Sequence, residues 1–217
     1  EEINERLKAE KHGLYPEHIK DNYVYMVKSD GTDGVFKGFN VTIPYKKDAC
    51  ARCDELDDAS RTTGSVNTVV FEDGKAKGWN TDYFGFIYML HRKGILVGGK
   101  KVLVLGTGGA ASAVFYALKT LGAAAVYACD LETEINYSNV YEKAGDAQVI
   151  VNCTPVGMFP KVDNRLLDLT KFASLEACAD VVYNPSRTAI ILDAQERGIP
   201  CISGLTMLVG QAKVGSE

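Results

Sequence analysis

From residue 100 onward the chain alternates short apolar runs with small-residue or amphipathic segments. Lys101–Leu105 reads as an apolar strand ending in Gly106, and a small-residue helix follows from Gly109 to Leu121, closed by Gly122. Further apolar strands are predicted at Ala124–Cys129, Ala147–Val151, Ala179–Tyr183 and Ile199–Ile202, with a helix over Ile190–Arg197. Strands that are nearly continuous in apolar residues and alternate with helices predict a parallel sheet covered on both faces. Upstream the pattern differs. Residues 1–37 are polar and show no readable period. Lys37–Pro44 turns apolar and β-branched and predicts a strand, Lys46–Asp58 a helix, and Asn67–Phe71 a strand turned at Asp73-Gly74. Phe84, Ile87 and Leu90 fall at helical spacing, and Gly94 ends that helix. The predicted class is α/β.

The strand–glycine–helix junction carries the first chemistry. Gly106, Gly108 and Ala111 fill the three positions of the pattern G-x-G-x-x-G/A found in dinucleotide-binding Rossmann-like folds. Gly106 permits the tight turn, and Gly108 removes a side chain so that a pyrophosphate can reach the backbone. Ala111 lets the helix pack close to the strand. The helix N-terminus then offers free N–H groups and a favourable dipole to the phosphates. Cofactor contacts are accordingly expected from Gly106, Gly108, Gly109 and Ala110. Asp130 ends the next strand, 24 residues after Gly106, where an acidic side chain can accept from ribose hydroxyls. A turn that merely needs small residues is the bland alternative. A methyltransferase loop is a third, but it usually follows an acidic strand end, and this strand ends in Leu105.

Composition narrows the partners. Hydrophobic residues make up 46% of the 217 and charged residues 24%, which excludes wholesale disorder. Net charge is −4, so no basic surface for nucleic acid is expected. The run from Val102 to Leu118 is 17 uncharged residues with three glycines inside it, too short and too glycine-rich to predict a membrane span. Glu1–Glu10 has no apolar core, so no export signal is expected. Of the six cysteines only Cys50 and Cys53 are close, without a second ligand pair for zinc. Six free thiols in a reducing cytoplasm, and no metal, are expected.

Two upstream residues stand out. A strand ending in Pro44 delivers Lys46 just past it, and Asp82 lies where the chain passes toward the nucleotide-binding half. By residue type alone, Lys46 reads as a solvated surface lysine and Asp82 as an N-cap. The wider series is more specific: Asn40–Lys46, Gly64–Thr68, Gly78–Asp82, Gly106–Ala111, Asn152–Met158, Tyr183–Pro185 and Gly204–Gln211. In order, these segments resemble the motifs of shikimate dehydrogenases over roughly residues 36–212. The resemblance implies two α/β domains with a cleft between them. Residues 1–82 would bind substrate, 83–204 would bind the dinucleotide, and 205–217 would return to the first domain. It implies reversible reduction of 3-dehydroshikimate to shikimate with NAD(P). Lys46 and Asp82 correspond to the family's catalytic pair. Thr42, Asn67 and Gln211 match its substrate contacts, and Tyr183 falls at its cleft. Thr154, Met158, Gly204 and Met207 lie in its nicotinamide-side segments. The residue types suit the chemistry, because a positioned ammonium can stabilise charge on a reacting oxygen and supply its proton.

The chain also departs from that pattern. The family holds the substrate carboxylate with a Ser-x-Ser motif, and none precedes Asn40. Stretches of the protein are therefore expected to lie outside this sequence. Most members use NADP, and many carry Asn-Arg-Thr at the end of the second nucleotide-domain strand. This chain has Ala128-Cys-Asp130 there, with four acidic residues and no Lys or Arg from Asp130 to Glu142. Asp130 thus favours NAD, while the resemblance favours NADP. A shikimate dehydrogenase is expected, a small-molecule enzyme acting in the cytoplasm as a monomer or homodimer. The alternatives are a quinate/shikimate dehydrogenase preferring NAD, and a dinucleotide-binding regulatory module without turnover.

Overall fold

The structure, a computed structural model, describes residues 25–27, 33–35, 38–42 and 44–216. The reading of residues 1–37 lies largely outside them. The chain divides into two compact units, Glu1–Asn80 and Thr81–Glu217.

In the first unit, β1 (Tyr25–Val27) pairs antiparallel with β2 (Asp33–Val35). Next come β3 (Gly38–Asn40), α1 (Lys46–Cys50), β4 (Glu55–Leu56), α2 (Asp58–Thr63), β5 (Thr68–Glu72) and β6 (Lys75–Trp79). Four of these strands form one sheet in the order β3-β5-β6-β4. The β5–β6 turn is the expected Asp73-Gly74, with φ of 53° and 74°, the paired left-handed conformation that tight hairpins need. Val41, Ala49, Val66, Val69 and Ala76 form the core of this unit.

The helix predicted over Lys46–Asp58 is broken in two. Residues 55–56 are drawn out as β4 by parallel pairing with Lys77 and Gly78. Asp57 then restarts the helix as an N-cap, its side chain accepting from the Ser60 N–H at 2.8 Å. Gly64, at φ 62°, closes it.

The second unit begins with α3 (Asp82–Lys93), ended by Gly94 at φ 70°. It continues through β7 (Lys101–Leu105), α4 (Gly109–Thr120), β8 (Ala125–Cys129), α5 (Val140–Ala144), β9 (Val149–Asn152) and a 3₁₀ turn at Leu169–Lys171. It ends with β10 (Ala177–Asp180), α6 (Ala189–Glu196), β11 (Cys201–Ile202) and α7 (Leu205–Val214). All five strands are parallel, in the order β11-β10-β9-β7-β8. Alternate residues of the inner strands feed two cores. Val102, Val104, Val149, Val151, Ala177 and Ala179 pack against α3, α4 and Met207. Leu103, Leu105, Ile150 and Cys178 pack against α5, α6 and the 3₁₀ turn. This is the doubly covered parallel sheet expected from the apolar runs.

Because β8 lies on one side of β7 and β9 on the other, strand order reverses at β7. Ligands of such sheets bind outside the carboxyl ends of the strands at that reversal. α7 packs on α3 at two glycines. A Cβ on Gly85 would stand 2.5 Å from the Met207 carbonyl oxygen, and one on Gly210 would stand 2.9 Å from the Tyr88 ring. Only glycine allows this approach.

Candidate functional site

β7 delivers its glycine loop to the point of strand reversal. Gly106 has φ 93°, and a Cβ there would meet the Thr154 Cγ2 at 2.9 Å and the Cys153 carbonyl at 3.3 Å. The loop after β7 is therefore in direct contact with the segment after β9. Gly108 is the N-cap of α4 and uses no side chain to cap it. A Cβ on Gly108 or Gly109 would point into open space, so the protein itself does not require glycine there. Ala111 is fully buried under the sheet. Gly109 and Ala110 open α4, whose first N–H groups lack helical acceptors. Among the described residues, this cradle fits a dinucleotide pyrophosphate on its own geometry.

Asp130 follows β8, beside β7, and reaches back to the same loop. Its Oδ2 accepts from the Thr107 N–H at 2.8 Å and the Thr107 hydroxyl at 2.6 Å, and its Oδ1 accepts from the Leu131 N–H at 2.8 Å. The Thr107 hydroxyl bond, then the Leu131 N–H, hold its carboxyl below the usual aspartate range. The group is ionised, and a carboxylate offers about four acceptor positions, so one remains beyond these three bonds. Asp130 does close the loop, and it keeps the capacity to take a ribose hydroxyl. The first cation downstream, Lys143, is paired with Glu134 at 3.0 Å.

The segments assigned to the nicotinamide side lie at the carboxyl ends of β9, β10 and β11. Thr154 is held by Asn152, whose Oδ1 accepts both the Thr154 N–H (3.0 Å) and hydroxyl (2.7 Å). Met158 is exposed, while Gly204 and Met207 are buried at and just after the start of α7. Tyr183 follows β10 and is 52% exposed. Gln211 lies on α7, where its Oε1 accepts from the Thr81 hydroxyl at 3.3 Å. Asp82 is the first residue of α3, and Thr81 holds the N-cap position, its carbonyl accepting from the Gly85 N–H. The reading of Asp82 as the cap itself is thus corrected by one residue.

In the first unit, Thr42, Lys46 and Asn67 gather at one end of the sheet. Asn40 pairs with Thr68, which pairs with Trp79, so the end of β3, the start of β5 and the end of β6 share that edge. The Val41 N–H donates to the Asn67 carbonyl at 2.7 Å, and the Val66 N–H to the Lys46 carbonyl at 3.0 Å. Asn67 is buried, Lys46 half-buried and Thr42 exposed. Asn80 is buried and fastens the same end, its amide donating to the Thr63 hydroxyl and the Ser65 carbonyl, each at 3.1 Å. Backbone bonds thus bring the segments that carry Lys46, Thr42 and Asn67 to one end of the sheet, and an ammonium, an amide and a hydroxyl are residue types that suit a polyhydroxylated ring.

Sequence reading missed Thr107 as the partner of Asp130. It also missed Asp180, a wholly buried carboxylate at the end of β10. A charged residue closing an apolar run was the available signal. The six cysteines are free thiols. Among the described residues, no three metal-ligating side chains gather, and no helix is long and apolar enough to cross a membrane.

Comparison with known proteins adds to this geometry. A family model described as the shikimate dehydrogenase substrate binding domain matches residues 10–69. The chain is 38% identical over 218 residues to a shikimate dehydrogenase (NADP(+)) of Caldicellulosiruptor bescii, an overlap spanning 92% of this chain and 74% of that one. It is similar to the crystal structure of a chorismate mutase/shikimate 5-dehydrogenase fusion protein from Clostridium acetobutylicum. That match has a TM-score of 0.78 and 35% identity, over 83% of this chain and 70% of that one. It is also similar to a quinate dehydrogenase from Corynebacterium glutamicum in complex with NAD, with a TM-score of 0.76 and 28% identity, over 83% and 71% of the two chains.

Proposed function

The chain belongs to the shikimate dehydrogenase family, and on that premise we propose which of its residues carry the reaction. It is an NAD(P)-dependent oxidoreductase acting on a CH–OH group, interconverting shikimate and 3-dehydroshikimate. When bound, the nicotinamide supplies or takes up the hydride. Lys46 stabilises the negative charge that develops on the ketone oxygen and delivers the proton to it; in the reverse direction its amine receives that proton. Asp82 accepts from a substrate hydroxyl. Thr42, Asn67 and Gln211 hydrogen-bond the ring hydroxyls, and Tyr183 orients the ring. Gly106, Gly108, Gly109 and Ala110 hold the pyrophosphate, and Asp130 the adenosine ribose. Thr154, Met158, Gly204 and Met207 border the nicotinamide. The substrate-binding part runs to about Asp82, the dinucleotide-binding part from 83 to 204, and 205–217 serves the substrate through Gln211. The enzyme acts in the cytoplasm as a monomer or homodimer.

The observation that carries the catalytic assignment is the gathering of Lys46, Thr42 and Asn67 at one sheet end of the first unit. Shikimate-dependent formation of reduced cofactor, followed by absorbance in the unmutated protein and in Lys46→Ala, tests it. Near-normal turnover in Lys46→Ala would remove Lys46 from the chemistry. The likeness to a quinate dehydrogenase makes quinate the second substrate to try, and the same assay with quinate reads this.

A further inference from the structure

Asp180 has no solvent exposure and no described cation beside it, yet it accepts three hydrogen bonds. Its Oδ1 takes the Asn152 side-chain amide at 3.0 Å and the Val182 N–H at 2.9 Å, and its Oδ2 takes the Thr188 hydroxyl. Each donor leads on to a neighbouring segment. Asn152 grips Thr154 through its own Oδ1, and Asn152 is itself buried. Val182 turns its carbonyl to the Gly204 N–H at 3.0 Å. Thr188 packs under the Gly157-Met158 turn, where a Cβ on Gly157 would stand 3.3 Å from the Thr188 Cβ. The Thr188 hydroxyl sits at the N-cap of α6 but leaves the helix uncapped, serving Asp180 instead. One buried carboxylate therefore joins three loops: the one after β9, which carries Thr154 and Met158, the one after β10, which carries Tyr183, and the one after β11, which carries Gly204.

We propose that Asp180 is a positioning residue for the nicotinamide end of the cofactor, fixing those three loops as one surface without touching the ligand. The proposal rests on the dinucleotide reading above. It is supported by what the site gives up, because burying a carboxylate among neutral donors is unfavourable to folding. Burial raises the Asp180 carboxyl to about 6, against the lowering effect of its bonds to Thr188, Val182 and Asn152. The adenosine end of the cradle, at Gly108 and Asp130, has no hydrogen bond to this network among those described.

The test compares whole and truncated dinucleotides by fluorescence and calorimetric titration. NADH and NADPH carry the nicotinamide; ADP-ribose and its 2′-phosphate lack it. Asp180→Ala is expected to weaken the reduced dinucleotides roughly tenfold or more, the size of a lost charge-assisted hydrogen bond, and to leave the truncated ligands unchanged. Asp180→Asn can keep all three contacts, with the Thr188 bond reversed, and is expected to stay within about threefold of normal. Thr188→Val removes one arm and should show the same selective loss at smaller size, which keeps the test open if Asp180→Ala does not fold. Equal weakening of whole and truncated ligands, or no weakening of either, would overturn the positioning role. If the unmutated protein binds none of the four ligands, the dinucleotide reading fails first and takes this proposal with it.

Discussion

Asp180→Asn should change the pH dependence of stability in a direction that the structure fixes. Burial raises the folded-state carboxyl from 3.8 to about 6, and the thiols of Cys153 and Cys178 are the other titratable groups that face it. Between those values the native protein holds a proton that the unfolded chain has released. The stability contributed by this group is therefore fully present below about 3.8 and is lost as pH rises through about 6. A shift of about two units corresponds to about 3 kcal/mol, lost between roughly pH 4 and pH 7. Asparagine does not titrate, so the variant should gain about that much relative to the unmutated protein on going from pH 4 to pH 8. Other titrating groups are shared and cancel in the difference. The chain has two units, so the second is read by itself, through exchange of β9 and β10 amides across a urea series with mass-spectrometric detection. A difference between the two proteins that does not vary with pH would refute the buried-carboxylate reasoning.

Three further substitutions separate the parts of the site. Asp130→Asn should raise kcat/KM with NADP relative to NAD by roughly tenfold to a hundredfold, because it removes a charge facing the 2′-phosphate; an unchanged ratio would leave Asp130 as a loop fastener for Thr107 only. Gly108→Val should weaken dinucleotide binding with little change in melting temperature, since its Cβ enters open space, whereas Gly106→Val should lower the melting temperature as well, since its φ of 93° and the Thr154 contact exclude a side chain. Equal melting behaviour of the two variants would contradict that distinction. Lys46→Ala should lower kcat by roughly 10²–10⁴-fold, and adding Asp82→Asn should cost much less than the product of the single effects, as for residues acting as a unit. Fully multiplicative losses in the double mutant would count against paired roles.

The second unit was legible because its strands are short apolar runs stopped by glycine or a polar residue, and because a glycine loop marks where the first strand ends. Gly106 and Asp130 could be placed from spacing alone. Their link through Thr107 could not, since it depends on β7 and β8 being neighbours. Asp180 was hidden for the same reason. That an aspartate ending an apolar run turns inward follows from β9 and β10 pairing so that Asn152 stands opposite it. Lys46–Asp58 misled because the β4–β6 pairing spans more than twenty residues and overrides local helical spacing. The helix Leu205–Val214 carries no helical period that sets it apart, and it is fixed by the fit of Gly85 against Gly210.

The most direct measurement of the central claim is kcat/KM for shikimate oxidation by the unmutated protein, with NAD and with NADP, followed by the absorbance of the reduced nicotinamide. Shikimate-dependent turnover with both cofactors and a higher value with NAD is the expected result. A clear preference for NADP would show the Asp130 reasoning to be wrong, and no shikimate-dependent reduction of either cofactor would contradict the assignment of the reaction itself.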